Sequence, residues 1–184
     1  EAGIIGAGFL EEHGGSGGGA MMNVMAIEGL MRGGSTGVAI GLGSAGIALP
    51  PIINANNQAQ IETYVRPTIA GKKIAALAVT EPGAGSDVAG IRTRAVRDGD
   101  EWVITGHKWF TSNAVRADWA LVMARTEEPD GDGGVNEKMS QFIVPTDSEG
   151  FEIVRSVPVW GHSGGHHCEI KYNGVRVPHE NILG

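Results

Sequence analysis

Apolar positions along the first seventy residues recur at helical spacing. Between residues 20 and 31, Ala20, Val24, Ile27 and Met31 fall on one face, the pattern of a core-facing helix. Asn57 followed by Gln60 reads as a capping-box variant. It opens a helix with Ile61, Tyr64 and Val65 inward that stops near Pro67, because an interior proline removes a hydrogen bond and clashes with the turn before it. Beyond Gly71 the period changes to two. Residues 74–79 are a short apolar run ending in a turn, and 94–97 and 100–111 flank Asp98-Gly99, a strong hairpin signal. Residues 119–124 are continuously apolar, as in a strand covered on both faces. An acidic, Gly-rich loop is predicted over 127–138, and 141–144, 151–154 and 168–177 complete the set of strands. Hairpins without helical crossovers predict antiparallel sheet or barrel. The predicted fold class is α+β: an N-terminal α-helical segment over 1–70, then an antiparallel β-barrel-like domain over 71–184.

Composition narrows the class. The 184 residues carry 14 Lys plus Arg against 21 Asp plus Glu, a formal net charge of −7, which argues against nucleic acid or an anionic membrane surface as main partner. Hydrophobic residues at 41% suffice for a core, so disorder is not the dominant state. The lone Cys168 excludes a disulfide framework and fits a reducing compartment. No apolar run is expected to approach the roughly 20 residues of a membrane span; the longest candidate, 38–53, is diluted by glycine and ends at Pro50-Pro51. The first residue is Glu1 and no signal-peptide pattern follows, so the chain is expected to begin mid-protein.

Glycine accounts for 30 residues, 15 of them within the first 46. Gly41, Gly43 and Gly46 match the dinucleotide fingerprint G-x-G-x-x-G, but the preceding segment is too short for a core strand and the following helix meets Pro50-Pro51. Small residues that allow close helix packing are the better account. Four of the six Met (Met21, Met22, Met25, Met31) cluster with them; core filling is the plain reading and the lining of an acyl-chain pocket the sharper one. Asp130-Gly131-Asp132-Gly133 hints at a calcium loop but lacks a Glu at the twelfth position, and reads as a solvated hairpin loop.

Two segments carry chemistry. Thr80-Glu81-Pro82-Gly83-Ala84-Gly85-Ser86-Asp87 follows directly on a strand; its glycines let successive N–H groups face one locus, suiting an anion or a polarised carbonyl, or simply a structural turn. In Gly106-His107-Lys108-Trp109-Phe110-Thr111-Ser112-Asn113, strand alternation puts Trp102, Ile104, Phe110 and Ser112 on one face and Val103, Thr105, Trp109 and Thr111 on the other. Phe110 and Ser112, roughly 7 Å apart along the strand, offer an aromatic plane and a hydroxyl to one edge of a planar cofactor, or ordinary cross-strand packing.

Together, Leu77-Ala78-Val79-Thr80-Glu81-Pro82-Gly83-Ala84-Gly85-Ser86-Asp87 and Gly106-His107-Lys108 with Phe110-Thr111-Ser112-Asn113 closely resemble the acyl-CoA dehydrogenase family. Gly33-Gly34-Ser35-Thr36-Gly37 and Val175-Arg176-Val177-Pro178-His179-Glu180-Asn181-Ile182-Leu183-Gly184 extend the resemblance over nearly the whole chain. It implies the latter part of an N-terminal helical domain plus a middle β domain, with the family's C-terminal helical bundle absent. It implies FAD as cofactor, held by Leu77, Val79, Thr80, Gly85 and Ser86 on its ring and diphosphate side and by Phe110, Thr111 and Ser112 around the isoalloxazine; Ser86 would also contact substrate. The implied reaction is α,β-dehydrogenation of an acyl-CoA thioester in fatty acid β-oxidation: a carboxylate takes the α-proton and the β-hydrogen leaves as hydride to flavin. That base is expected in the C-terminal domain, so no catalytic residue is assigned here, and the 184-residue chain alone is expected to be inactive. Implied partners are acyl-CoA and an electron-transfer flavoprotein, in a homotetramer or homodimer of bacterial cytoplasm or mitochondrial matrix, not secreted. An acyl-CoA oxidase, or a non-catalytic acyl-CoA- or flavin-binding module of the same fold, are the alternatives.

Departures from the family pattern are Phe110 where Trp is usual, Ser112 where Thr is usual, and the run Trp160-Gly161-His162-Ser163-Gly164-Gly165-His166-His167-Cys168, where many members carry Arg and Ser. Of its potential zinc ligands only His162, His166 and Cys168 could converge. Surface histidines are the preferred reading, and no metal is assigned.

Overall fold

The structure, a computed structural model, describes residues 3–34, 36–129, 135–159 and 167–184. It forms two compact units, Glu1–Ala75 and Ala76–Gly184.

The first unit is helical. α1 (Gly19–Arg32) forms where apolar spacing predicts it, but none of its residues is buried. Val24 is 59% exposed and Ile27 39%, so the expected core-facing stripe is left largely exposed. α2 (Thr36–Gly43) and α3 (Ala45–Ala55) follow, separated at Ser44. α3 runs through Pro50 and Pro51, against the expectation that they end it. The carbonyls that lose their i+4 donors belong to Gly46 and Ile47, both exposed, where water can replace the missing N–H groups. The 20-residue run Thr36–Ala55 is therefore long and apolar enough to cross a membrane by length and composition, correcting the expectation that no run reaches that length. A third of it is buried.

Gly43 and Gly46 lie in or beside these helices, and a Cβ at either would meet nothing within 4 Å. Close helix packing does not explain them. Close approach occurs earlier in the chain: a Cβ on Gly15 would lie 2.2 Å from the Phe9 carbonyl oxygen.

Asn57 caps α4 (Gln58–Gln60), its side chain accepting from the Ala59 and Gln60 amides. The chain continues as a π turn, Ile61–Val65, into α5 (Arg66–Ile69). Ile61 and Val65 are buried as expected, but the helix passes Pro67 rather than stopping there. The Thr63 carbonyl, which a residue with an N–H at 67 would have bonded, instead accepts from Lys73 Nζ at 3.1 Å.

The second unit is a seven-stranded sheet curled into a half-barrel. Its strands are β1 (Ala75–Ala78), β2 (Arg94–Asp98), β3 (Glu101–Ser112), β4 (Trp119–Pro129), β5 (Val135–Pro145), β6 (Phe151–Ser156) and β7 (His167–Pro178). The order is β1-β4-β2-β3-β7-β6, with β5 also on β4. The β2–β3, β3–β7, β4–β5 and β6–β7 pairs are antiparallel, and β2 meets β4 at a single parallel register, Arg94 opposite Arg125. Trp119, Ala120, Leu121, Val122 and Ala124 are all buried, the two-sided cover that the apolar run predicts.

The predicted 127–138 loop is mostly strand, with pairs continuing to Pro129 opposite Val135. Glu127 faces Glu137, a repulsive pairing by itself. Each carboxylate has its own guanidinium, Arg94 for Glu127 and Arg125 for Glu137. The calcium-like loop at 130–134 lies outside the described residues. The first hairpin turns one residue later than expected: Asp98 pairs with Glu101, and Gly99, with φ 64°, leads a II′-type loop.

Tyr172 of β7 is 1% exposed, packs edge-on against Phe151, and its hydroxyl has no hydrogen-bond partner among the described residues. Burial pushes its ionisation far above the usual tyrosine range. Because a buried unpaired hydroxyl is costly, Tyr172→Phe is expected to leave stability unchanged or raise it by up to about 1 kcal/mol, read from urea unfolding. A clear loss would show that the hydroxyl is satisfied.

Candidate functional site

Strand β1 sorts its residues by face. Ala76 and Ala78 are buried, whereas Leu77 and Val79 are half-buried on the opposite side. The chain then turns tightly: the Glu81 N–H donates to the Ala84 carbonyl at 2.9 Å and the Ala84 N–H to the Glu81 carbonyl at 3.1 Å, with Pro82-Gly83 between them. Gly85 and Ser86 emerge exposed. Their amides make no hydrogen bond among the described residues, and a Cβ on Gly83 or Gly85 would meet open space.

This turn is fastened to β3 at two points. The Trp109 N–H donates to the Thr80 carbonyl at 2.8 Å. Lys108 Nζ donates to the Val79 carbonyl at 2.8 Å and to Glu81 Oε1 at 2.9 Å. The Glu81 carboxylate also accepts from the Arg92 amide at 2.7 Å and the Thr93 amide at 2.9 Å. Residues 79–81 are thus held against Lys108 and Trp109, which precede Phe110 in the chain.

Lys108 is fully buried and Glu81 nearly so, which sets their ionisation. For Glu81, burial opposes charge, but hydrogen bonds from Lys108 and from the Arg92 and Thr93 amides outweigh it and hold the carboxyl below its ordinary range. For Lys108, burial pulls the ammonium below its ordinary range, and the Glu81 contact only partly offsets that. Thr93 in turn packs against β3 where Gly106 sits; a Cβ there would lie 2.2 Å from Thr93 Oγ1.

The second wall departs from simple strand alternation. The β3–β7 register slips between Lys108 and Thr111, a β-bulge, and Phe110 takes a left-handed φ of 58°. Trp109 and Phe110, expected on opposite faces, have stacked rings with centroids 5.5 Å apart. The bulge reverses the parity of the residues after it. Trp102, Ile104 and Lys108 face the core, then Thr111 does, leaving Phe110 48% exposed and Ser112 half-buried. Phe110 and Ser112 therefore do not share the face of Trp102 and Ile104, and Thr111 can offer a ligand only its backbone.

Behind the aromatic pair, the Arg155 guanidinium lies 5.6 Å from the Trp109 ring centroid and Arg155 Nε bonds Glu169 at 2.6 Å. Glu169 also meets His107 Nε2 at 2.8 Å. Arg155 first, and His107 after it, hold the Glu169 carboxyl below its usual range. Ser112 Oγ lies 2.8 Å from His167 Nδ1.

Of the three side chains that could converge on a metal, His162 and His166 lie outside the described residues. Cys168 is fully buried, and burial pushes its thiol up. A cavity of about 330 Å³ beside the turn is lined by Glu81, Pro82, Gly83, Gly90, Arg92, Thr93, Gly106 and His107. None of the eight predicted cofactor residues lines it.

Sequence pattern alone does not single out Lys108, Thr93 or Gly106 as site residues. One signal was available for Lys108: it shares the even-numbered parity of Trp102 and Ile104, so alternation puts a cation on the core face, where it needs a carboxylate. The residues present fit a planar heteroaromatic group with an anionic tail. They offer an exposed ring (Phe110), hydroxyls (Thr80, Ser86, Ser112) and two unpaired amides beside open space.

Comparison with known proteins gives concordant results. Residues 1–72 match the family model "Acyl-CoA dehydrogenase, N-terminal domain" and residues 76–175 match "Acyl-CoA dehydrogenase, middle domain". The chain is 36% identical to the probable acyl-CoA dehydrogenase YngJ of Bacillus subtilis, over 100% of this chain and 48% of that protein. A crystal structure of a probable acyl-CoA dehydrogenase from Mycobacterium abscessus superposes with a TM-score of 0.90 at 46% identity, covering 99% of this chain and 47% of that one. A glutaryl-CoA dehydrogenase from Mycobacterium smegmatis, solved in complex with FADH2, superposes with a TM-score of 0.84 at 30% identity, covering 98% and 44%. The chain spans about half the length of the curated relatives it matches.

Proposed function

The chain belongs to the acyl-CoA dehydrogenase family, and from that premise we propose that it forms the flavin-gripping part of an enzyme that dehydrogenates acyl-CoA thioesters between the α and β carbons. Leu77 and Val79 supply an apolar wall. Thr80, with the amides of Gly85 and Ser86, receives the diphosphate side of FAD. Phe110 packs on the ring system, Ser112 offers its hydroxyl to a ring nitrogen, and Thr111 contributes backbone. Ser86 also meets the acyl-CoA. FAD, when bound, supplies the acceptor for the hydride that leaves the β-carbon.

Donors held rigidly beside the thioester carbonyl stabilise the charge that develops as the α-proton leaves. The base belongs to chain outside these 184 residues. Glu81 does not serve, because its carboxylate is already committed to Lys108, Arg92 and Thr93. An electron-transfer flavoprotein as acceptor and a homo-oligomeric assembly complete the reading.

The observation that supports it is the 2.8 Å bond from the Trp109 amide to the Thr80 carbonyl, which ties the 77–86 stretch to β3 one residue before Phe110. The full-length protein is expected to purify with FAD and to dehydrogenate butanoyl-CoA or octanoyl-CoA, while the 184-residue chain alone turns over neither. A full-length protein that neither carries nor takes up FAD overturns the assignment. Turnover by the short chain overturns only the placement of the base.

A further inference from the structure

A serine hydroxyl has one hydrogen to donate and two lone pairs to accept with. What Ser112 can offer a ligand therefore depends on its other partner, and that partner is His167. The two residues stand directly opposite each other in the β3–β7 register, with Oγ 2.8 Å from Nδ1. His167 is fixed independently, since its carbonyl accepts the Val157 amide at 2.7 Å. Ser112 itself lies beyond the bulge at Phe110, which reverses the parity of β3.

The dyad has two hydrogen-bond states. With a hydrogen on Nδ1, His167 donates to Oγ, and the serine hydrogen is free to point at an acceptor. With Nδ1 bare, the serine hydrogen is used on the imidazole, and Oγ can only accept from a neighbouring N–H. A flavin ring nitrogen is an acceptor when the flavin is oxidised and an N–H donor when it is reduced. The two states of the dyad thus match the two redox states of the ligand. Groups that hydrogen-bond flavin ring nitrogens tune its electronics, and a group that favours one state over the other shifts the equilibrium between them.

We propose that His167 is a positioning residue for the Ser112 hydroxyl, and that the Ser112–His167 pair sets the reduction potential of the bound flavin. This rests on the assignment of the site to flavin.

The test is the reduction potential and visible absorption spectrum of the FAD-loaded full-length protein. His167→Leu is expected to keep FAD and shift the reduction equilibrium at least tenfold, about 30 mV for a two-electron couple, with a change in the flavin absorption band. His167→Asn, whose amide occupies the place of Nδ1, is expected to restore most of the shift. Ser112→Ala shifts the potential by itself, and in that background a His167 substitution is expected to add nothing. A potential and spectrum unchanged in His167→Leu overturn the inference and leave the flavin reading intact, as does an undiminished His167 effect in the Ser112→Ala background. Folded His167 variants that both lose FAD assign the histidine a structural role and overturn it too. A wild-type protein without FAD overturns both readings together.

Discussion

Lys108→Met is expected to lower the stability of the β unit by about 3–5 kcal/mol, the usual cost of removing one partner from a buried ion pair. The substitution is nearly isosteric, so little of this comes from packing. It comes from leaving the Glu81 carboxylate in a closed interior without its cation, and from freeing the Val79 carbonyl that Nζ also holds. Since native stability is commonly only about 5–15 kcal/mol, the variant is expected to unfold at much lower urea and to bind FAD poorly, because the turn bearing Gly85 and Ser86 loses a fastening to β3. Urea unfolding of wild type and variant checks this; a loss below about 1 kcal/mol would show the pair behaving like a surface ion pair.

The same carboxylate gives a pH signature. Glu81 has a folded-state ionisation below its ordinary range, so in acid the unfolded chain binds a proton before the native one does. Its contribution is complete above the ordinary carboxylate range and disappears as pH falls through the lower, folded value. In Lys108→Met the folded carboxyl rises toward or past its ordinary range, so Glu81's share of the acid loss shrinks or changes sign. Unfolding midpoints measured across acidic pH should show a weaker dependence on this group in the variant.

Gly106→Ala is expected to cost about 1–3 kcal/mol or more, as overpacking does. The new Cβ would lie 2.2 Å from Thr93 Oγ1 and 2.5 Å from Thr93 Cβ, and neither atom is the free end of a long side chain. Thr93 cannot retreat easily, because its amide is bonded to Glu81 and its carbonyl accepts the Arg125 amide. Strain at Gly106 therefore reaches the carboxylate that Lys108 neutralises. The double variant Gly106→Ala, Thr93→Gly removes all three obstructing Thr93 atoms and should recover part of the loss. Additive losses in the double variant would show that the Gly106–Thr93 contact is not the cause.

Periodicity located most of the architecture because most elements obey it. β4 is buried on both sides where an uninterrupted apolar run stands, and Asn57 caps where a capping residue is spaced from Gln60. The misreadings come from tertiary effects that local pattern does not contain. Pro50 and Pro51 sit in α3 because the carbonyls they orphan are exposed. Pro67 is accommodated because Lys73 reaches the Thr63 carbonyl. The acidic stretch after Arg125 reads as loop until Glu127 is matched with Arg94 and Glu137 with Arg125. At the candidate site, both segments stand out as motifs and the bonds from Lys108 and Trp109 to residues 79–81 appear only in the fold, while alternation fails at Phe110. A bulge adds one residue to one strand only, and nothing in a single strand's pattern announces it. His167 stands out in the sequence only as part of a histidine-rich run; its hydroxyl neighbour is visible only across the sheet.

The left-handed Phe110 has a cost that favours a different amino acid. An L-residue in that region is disfavoured by about 1–2 kcal/mol, and glycine would relieve it without disturbing the strand pairing. An engineer selecting this chain for thermal robustness alone would thus be led to erase a half-exposed ring of the candidate site. Stabilisation campaigns that score only heat resistance should hold position 110 fixed.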